Sequence, residues 1–355
     1  MNIGLTVYGS LDERSGGFRY DRKLVDELRA AGNTVDVIEL PWRNYARGLL
    51  DNASPELGER LDTDVDIMLQ DELAHPSLVY HNRSLPYPIV SIVHHLRASE
   101  SRRLSRFYRA VERSYLQTVD AVVCNSTVTR DVVTGLGVDR SATVVAPPAG
   151  DRFDPAIDAD AIDDRAHDGS LRVVYVGNLA PRKGVDTLVD AVSMAACDAE
   201  LTVVGRAVDT GYVASVRKRI AESSLGARVE LVGELPDADL AATLRSAHVI
   251  AVPSRYEGFG IVYLEGMSFG LPAIATRAGG ATDVVTDGET GVLVDPDTPS
   301  AVARALAALD ADRDRLAEMG TAARQRYENH PDWSTTAARV RDLLDATVDG
   351  PGAVA

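Results

Sequence analysis

Short runs rich in valine and isoleucine alternate with longer amphipathic stretches along most of the chain, and this alternation leaves few architectures open. A parallel strand buried on both faces reads as a continuous apolar run, and its return to the same sheet needs a covering helix. Runs at residues 2–8, 34–39, 65–69, 89–94, 119–124 and 142–146 predict six strands in the first half. The stretch from Pro147 to Gly169, rich in Pro, Asp and Gly, carries no period and reads as a linker. The alternation then restarts, with strands predicted at 171–176, 200–204, 228–232, 248–252, 272–275 and 291–294. The fold class is therefore α/β, with Rossmann-like domains over residues 1–160 and 170–330. Helical periodicity continues past 299 and breaks at Pro331; the last helix, 331–347, is free to pack on either domain or to cross back to the first. Ligands of such sheets bind beyond the carboxyl ends of the strands, so the loops after strands are where chemistry belongs.

Charge narrows the partners. The 355 residues carry 53 acidic and 37 basic side chains, a net charge of −16. Such an excess repels nucleic-acid phosphates and disfavours a general nucleic-acid role. It suits a high-salt proteome, or simply an acidic cytosolic enzyme. Cys124 and Cys197 fall in different domains, which speaks for a reducing compartment and against a structural disulfide. No apolar run reaches the roughly 18 residues of a spanning helix, and the first residues read as a strand rather than a leader. The expected location is cytoplasmic, with a peripheral contact at the inner face of the membrane left open.

The most informative segment runs from Val252 to Pro272. A strand ends at Pro253, a turn with Gly258 and Gly260 follows, and a helix is predicted from about Ile261 to Phe269. The glycines let backbone approach a ligand, and the new helix offers free N–H groups and a positive dipole end, which together suit an anion. Glu265 lies about one turn inside that helix while Glu257 stays in the loop, so the two carboxylates can accept from hydroxyls on different parts of one extended ligand. Upstream, Val176-Gly177-Asn178-Leu179-Ala180-Pro181-Arg182-Lys183-Gly184 brings two cations to a helix start, where they can hold a departing diphosphate.

Glu257 and Glu265 resemble the Glu-x7-Glu signature of glycosyltransferase family 4, the large group of retaining GT-B enzymes. The likeness continues through Pro272–Thr276, Gly279-Gly280 and Asp287–Val294. The resemblance implies a GT-B fold, two Rossmann-like domains whose parallel sheets face a central cleft, and transfer of a hexose-type sugar from a nucleotide-diphosphate sugar to a hydroxyl acceptor with retention. It implies Glu257 on the donor sugar, Glu265 on the ribose, and the backbone of Gly258, Phe259, Gly260 and Ile261 on the diphosphate and sugar. Lys183 carries over to the phosphates; Asn178 stands where the family often has arginine, with Arg182 as its substitute. Gly177, Gly205 and Leu235 would line the donor site, turn glycines being the equal alternative for the loops of the last two. No metal or other cofactor is expected, since no Asp-x-Asp or clustered histidine set has convincing ligand spacing. Two rivals stay open: another GT-B activity such as a nucleotide-sugar epimerase or a phosphorylase, and a non-catalytic nucleotide-sugar-binding subunit.

In the first domain Gly16 and Gly17 stand where the family has a Gly-Gly loop approaching the donor phosphate. The strand Ile89–Val93 delivers His94 and His95, and the resemblance sets His94 beside the donor sugar. Gln70-Asp71-Glu72 and Asn125-Ser126-Thr127 end two further strands; for Asp71 or Glu72 the readings are an acceptor contact, or capping and solvent exposure. Residues 97–113 hold six arginines against two glutamates, with Leu104, Phe107, Tyr108 and Val111 at helical spacing. Such a segment fits an anionic lipid surface or a phosphate-bearing acceptor, or is a solvated arginine face.

Overall fold

The computed structural model describes residues 1–13, 15–100 and 104–350. All twelve predicted strands are present, and all pair in parallel. The first unit holds β1 (Asn2–Tyr8), β2 (Thr34–Leu40), β3 (Ile67–Asp71), β4 (Ile89–Val93), β5 (Ala121–Cys124) and β6 (Thr143–Val145), in the order β2-β1-β3-β4-β5-β6. The second holds β7 (Leu171–Val176), β8 (Ala199–Val204), β9 (Val229–Gly233), β10 (Val249–Ala251), β11 (Ala273–Thr276) and β12 (Gly291–Val294), in the order β12-β11-β10-β7-β8-β9. Strands β3, β4 and β5 are buried at every position, which explains why their sequences show no polar alternation.

The division falls between Ala149 and Gly150, not across 160–170, and the segment from Pro331 belongs to the first unit. The stretch read as a linker contains a helix, Ala159–Ala166, capped by Asp158. Packing overrides its composition. Phe153 meets Phe269 edge-on at 5.5 Å, and Arg165 donates to the carbonyls of Phe269 and Gly270 at 2.9 and 2.8 Å. The last helix, Trp333–Val348, lays Trp333 against Tyr20 at 5.3 Å and seals the first unit's core with Val340 and Leu344. Thr336 Oγ1 donates to the Pro147 carbonyl at 2.6 Å and ties this helix to the end of the first sheet.

The basic segment also differs from its prediction. Residues Arg97–Ser99 form one 3-10 turn, and the regular helix is Ser105–Leu116. Arg102 and Arg103 lie outside the described residues. Glu112 is buried and accepts from the backbone of Ala98 at 3.0 Å, which anchors the helix to the turn before it. Among the described residues no helix is long and apolar enough to cross a membrane.

Candidate functional site

In each sheet the strand order reverses once, and Gly16, Gly17, Asp71, Glu72, Lys183 and Glu257 lie at or just after the ends of the strands that flank those reversals. In the second unit β7 and β10 are neighbours, so the loops leaving them diverge and open a crevice. The loop after β7 carries Lys183, and the loop after β10 carries Glu257. Lys183 Nζ lies 2.5 Å from Glu257 Oε2, with both side chains largely buried. Ser254 Oγ donates to the same oxygen at 3.1 Å. Burial alone would raise the Glu257 pKa, but Lys183, then Arg182, and the hydrogen bonds from Lys183 and Ser254 bring it down to about 2. Lys183 shifts downward from its ordinary range because burial outweighs the pull of Glu257, with Arg182 adding to the decrease.

The backbone around Glu257 is braced on two sides. Its N–H donates to the Ala278 carbonyl at 3.1 Å, and its carbonyl accepts from Gly280 N at 2.8 Å. Gly279 lies in the left-handed region at φ +89°, and a Cβ there would sit 2.0 Å from the Glu257 carbonyl oxygen. The pair Gly279-Gly280 is thus a backbone-to-backbone contact that holds the loop carrying the carboxylate. Gly260, at φ +95°, starts the helix Ile261–Ser268 with no side-chain cap. Its first-turn amides are therefore not satisfied by a capping side chain, the local arrangement that suits an anion.

The other predicted residues divide. Arg182 donates to the Tyr256 carbonyl at 2.8 Å, bracing the loop next to Glu257. Gly177 and Gly205 pack against each other: a Cβ on Gly205 would strike the Gly177 carbonyl. Asn178 accepts through its carbonyl from Tyr175 Oη at 3.1 Å, and Leu235 packs half-buried against the core. Phe259 is a core residue, so only its backbone is available to a ligand. Ile261 is half-buried at the first helical position.

Glu265 is buried, and Arg152 NH1 stands 3.7 Å from its Oε2 while NH2 bonds Asp237 at 2.6 Å. Sequence reasoning missed Arg152, because it lies in the stretch read as a linker and no spacing relates it to Glu265. It also missed the clamp formed by Arg255, which bonds Asp186 at 2.9 Å and Asp297 at 2.6 Å.

In the first unit the reversal falls between β1 and β3. His94, at the end of β4, places Nε2 3.2 Å from Asp21 Oδ1 and donates its backbone N–H to Glu72 Oε2 at 2.6 Å. Its carbonyl accepts from the Asn125 amide at 2.7 Å. Gly17 lies over the ring: a Cβ there would press on Cδ2 at 3.1 Å. Ser15 caps the helix Gly16–Ala30 and thereby fixes the Gly16-Gly17 turn. Asp71 and Glu72 are buried, which overturns the solvent-exposed reading; Asp71 does cap, accepting from Leu73 N at 2.9 Å. Burial raises both pKa values; repulsion from Asp21 adds to the rise of Asp71, to about 7, and repulsion from Asp71 and Asp21 adds to that of Glu72. Asp21, Asp71 and His94 bring one polar atom each within 4.8 Å of one another. Asp21 was the residue missed here, although its position one helical turn after Gly17 places it on the same face. His95 bonds Glu100 at 3.0 Å instead of joining this cluster.

Comparison with known proteins follows the same division. Residues 159–326 match the family described as Glycosyl transferases group 1, and residues 14–151 match Glycosyltransferase Family 4. The chain is 33% identical over 227 residues to a D-inositol 3-phosphate glycosyltransferase of Pseudarthrobacter chlorophenolicus, covering 62% of this chain and 54% of the relative. It is 35% identical over 206 residues to a GDP-mannose-dependent alpha-(1-6)-phosphatidylinositol monomannoside mannosyltransferase of Mycolicibacterium smegmatis, covering 55% and 53%. The matched stretches thus span about half the length of these curated relatives. Among solved structures, a sucrose-phosphate synthase from Thermosynechococcus elongatus superposes with a TM-score of 0.80 at 24% identity, over 97% of this chain and 98% of that one.

Proposed function

The chain belongs to the group 1 glycosyltransferases of GT-B fold, and from that membership we propose that it moves a hexose-type sugar from a nucleotide-diphosphate sugar to a hydroxyl acceptor with retention of configuration. The observation that carries this reading is the buried Lys183–Glu257 pair beside the uncapped helix Ile261–Ser268. A lysine and a set of amides aimed at one place neutralise a diphosphate as it departs. Glu257, ionised and pinned through one oxygen by Lys183 and Ser254, orients sugar hydroxyls; its lowered pKa suits an acceptor of hydrogen bonds and makes it a poor acid. Glu265 serves the ribose, and the Gly177–Gly205 contact and Leu235 shape the floor near the base.

In the first unit, His94 and the Gly16-Gly17 turn serve as contacts to the donor sugar and phosphate. Acceptor attack comes on the face from which the nucleotide leaves, and the leaving phosphate takes the acceptor proton. Phosphate charge is met by Lys183, Arg182 and amides, so turnover requires no divalent ion.

The names of the two curated relatives put GDP-mannose, inositol phosphates and phosphatidylinositol mannosides first in a screen. The protein works at the cytoplasmic membrane face, with the helix Ser105–Leu116 resting on anionic lipid. Phe107 and the flanking Leu104 are exposed, as are Arg106, Arg109 and Arg113, and the apolar groove beside Phe107 and Val111 has a volume of about 330 Å³. The deciding experiment is a donor screen read by nucleotide release, with and without acceptor. Release only when acceptor is present supports transfer; sugar isomerisation without acceptor would make the protein an epimerase, and binding with no turnover a non-catalytic subunit.

A further inference from the structure

Asp21, Asp71 and Glu72 are buried around a single histidine, an arrangement that cannot hold three bare carboxylates. Asp21 Oδ1 is engaged by His94 Nε2, Asp71 Oδ1 by Leu73 N, and Glu72 Oε2 by His94 N. Asp21 Oδ2 and Asp71 Oδ2 are both buried and have no donor. Two unpartnered acceptors in one buried cluster are costly, and a single proton bound between them removes the cost for both. One carboxylate oxygen of Asp71 lies within 4.8 Å of one of Asp21.

We propose that Asp21 is the positioning residue of His94: it shares one buried proton with Asp71 and holds the Nε2–H of a doubly protonated His94 ring. This rests on the reading of His94 as a donor-sugar contact and extends it chemically. An imidazolium donates from both nitrogens and accepts from neither. His94 therefore serves as a fixed cation and hydrogen-bond donor and cannot serve as the base that deprotonates the acceptor, which leaves that proton to the departing phosphate.

The surroundings agree. Tyr20 meets the His94 ring edge-on at 5.2 Å, Asn125 bonds its carbonyl, and the charged groups acting on the ring are Asp21, Asp71 and Glu72. Burial alone would lower the ring's pKa, and Asp21, first by its charge and then by its hydrogen bond, raises it instead to about 10, with smaller contributions from Asp71 and Glu72.

The direct test is a titration and needs no activity. In the full chain labelled with 15N-histidine, and with His94→Gln to assign the signal, His94 is expected to remain doubly protonated above pH 8. Asp21→Asn should bring its titration down by about 2 units, while Asp71→Asn, whose amide can still donate to Asp21, should leave it near its original position. In the transfer reaction Asp21→Asn should lower kcat about 10- to 100-fold, with the donor KM changed less than about twofold. The inference is overturned if His94 of the unmodified protein titrates in the ordinary histidine range. It is also overturned if Asp71→Asn acts as strongly as Asp21→Asn, or if the purified protein holds a stoichiometric divalent ion that those substitutions release. The expected titration in a protein that transfers no sugar would uphold the relay and remove only the transferase reading.

Discussion

Lys183 and Glu257 come from loops 74 residues apart, yet their charged atoms meet at 2.5 Å at the one place where the second sheet reverses its strand order. An ion pair this buried is held as a unit, because removing one partner strands the other without water.

Glu257→Gln and Lys183→Met should each lower kcat/KM about 10²- to 10³-fold. Each should also destabilise the second unit, by about 3 kcal/mol for the lysine change. The double variant should be more stable than the sum of the two losses implies. Denaturant unfolding of all four proteins gives the coupling energy, and strict additivity would mean that the pair does not act as a unit.

The pH dependence of stability should follow the two clusters with opposite signs. Glu257 has a folded pKa depressed to about 2, so its stabilising contribution is present above the ordinary glutamate range and is lost as pH falls toward 2. Asp71 has a folded pKa raised to about 7, so the folded state holds a proton that the unfolded state has released, and stability falls as pH rises from about 4 to about 7. Thermal melts of the wild-type protein and Asp71→Asn across pH 4 to 8 should show the variant's curve flatter in that window.

The sheets were legible because fully buried parallel strands leave a compositional trace, and so was the loop of Glu257, where two glycines and a carboxylate stand at a strand end. What escaped was whatever depends on side chains from distant segments. Asp21 reads as an ordinary polar helix residue until β3 and β4 bring Asp71 and His94 to it. Arg152 looks like linker until Phe153 is seen packed on Phe269. The helix Ala159–Ala166 was lost because its acidic residues masked a short apolar face, Ile162 and Ala166.

Gly279→Ala tests the brace behind Glu257. The substitution meets both a positive φ and a backbone oxygen that cannot rotate away. It should lower kcat/KM by at least tenfold, and melting temperature should drop as well, whereas Gly226→Ala, where a Cβ has open space, should change neither. Equal behaviour of the two variants would show that the loop does not depend on this contact.

Divalent ions should be dispensable for turnover if Lys183, Arg182 and helix amides carry the diphosphate charge. Exhaustive chelation followed by gel filtration into metal-free buffer should leave the initial rate within about twofold, since no interaction of the several-kcal/mol size of a Lewis-acid contact is removed. A loss restored by magnesium or manganese would reassign the neutralising role.

Lipid binding should be electrostatic in origin. The chain as a whole is at −16, so an anionic membrane repels most of its surface, and attraction must come from the local patch of exposed Arg106, Arg109 and Arg113 with Phe107 beside them. Each arginine near an anionic surface contributes about 1 kcal/mol, so Arg106→Gln with Arg109→Gln should weaken partitioning about 30-fold. Phe107→Ser should weaken it independently of salt, because it removes apolar contact and no charge. Co-sedimentation with phosphatidylglycerol vesicles should succeed at low ionic strength and fade as salt shortens the screening length, while phosphatidylcholine vesicles should retain little protein under either condition. Equal binding to both lipids, or binding insensitive to the arginine changes, would return this helix to an ordinary solvated face.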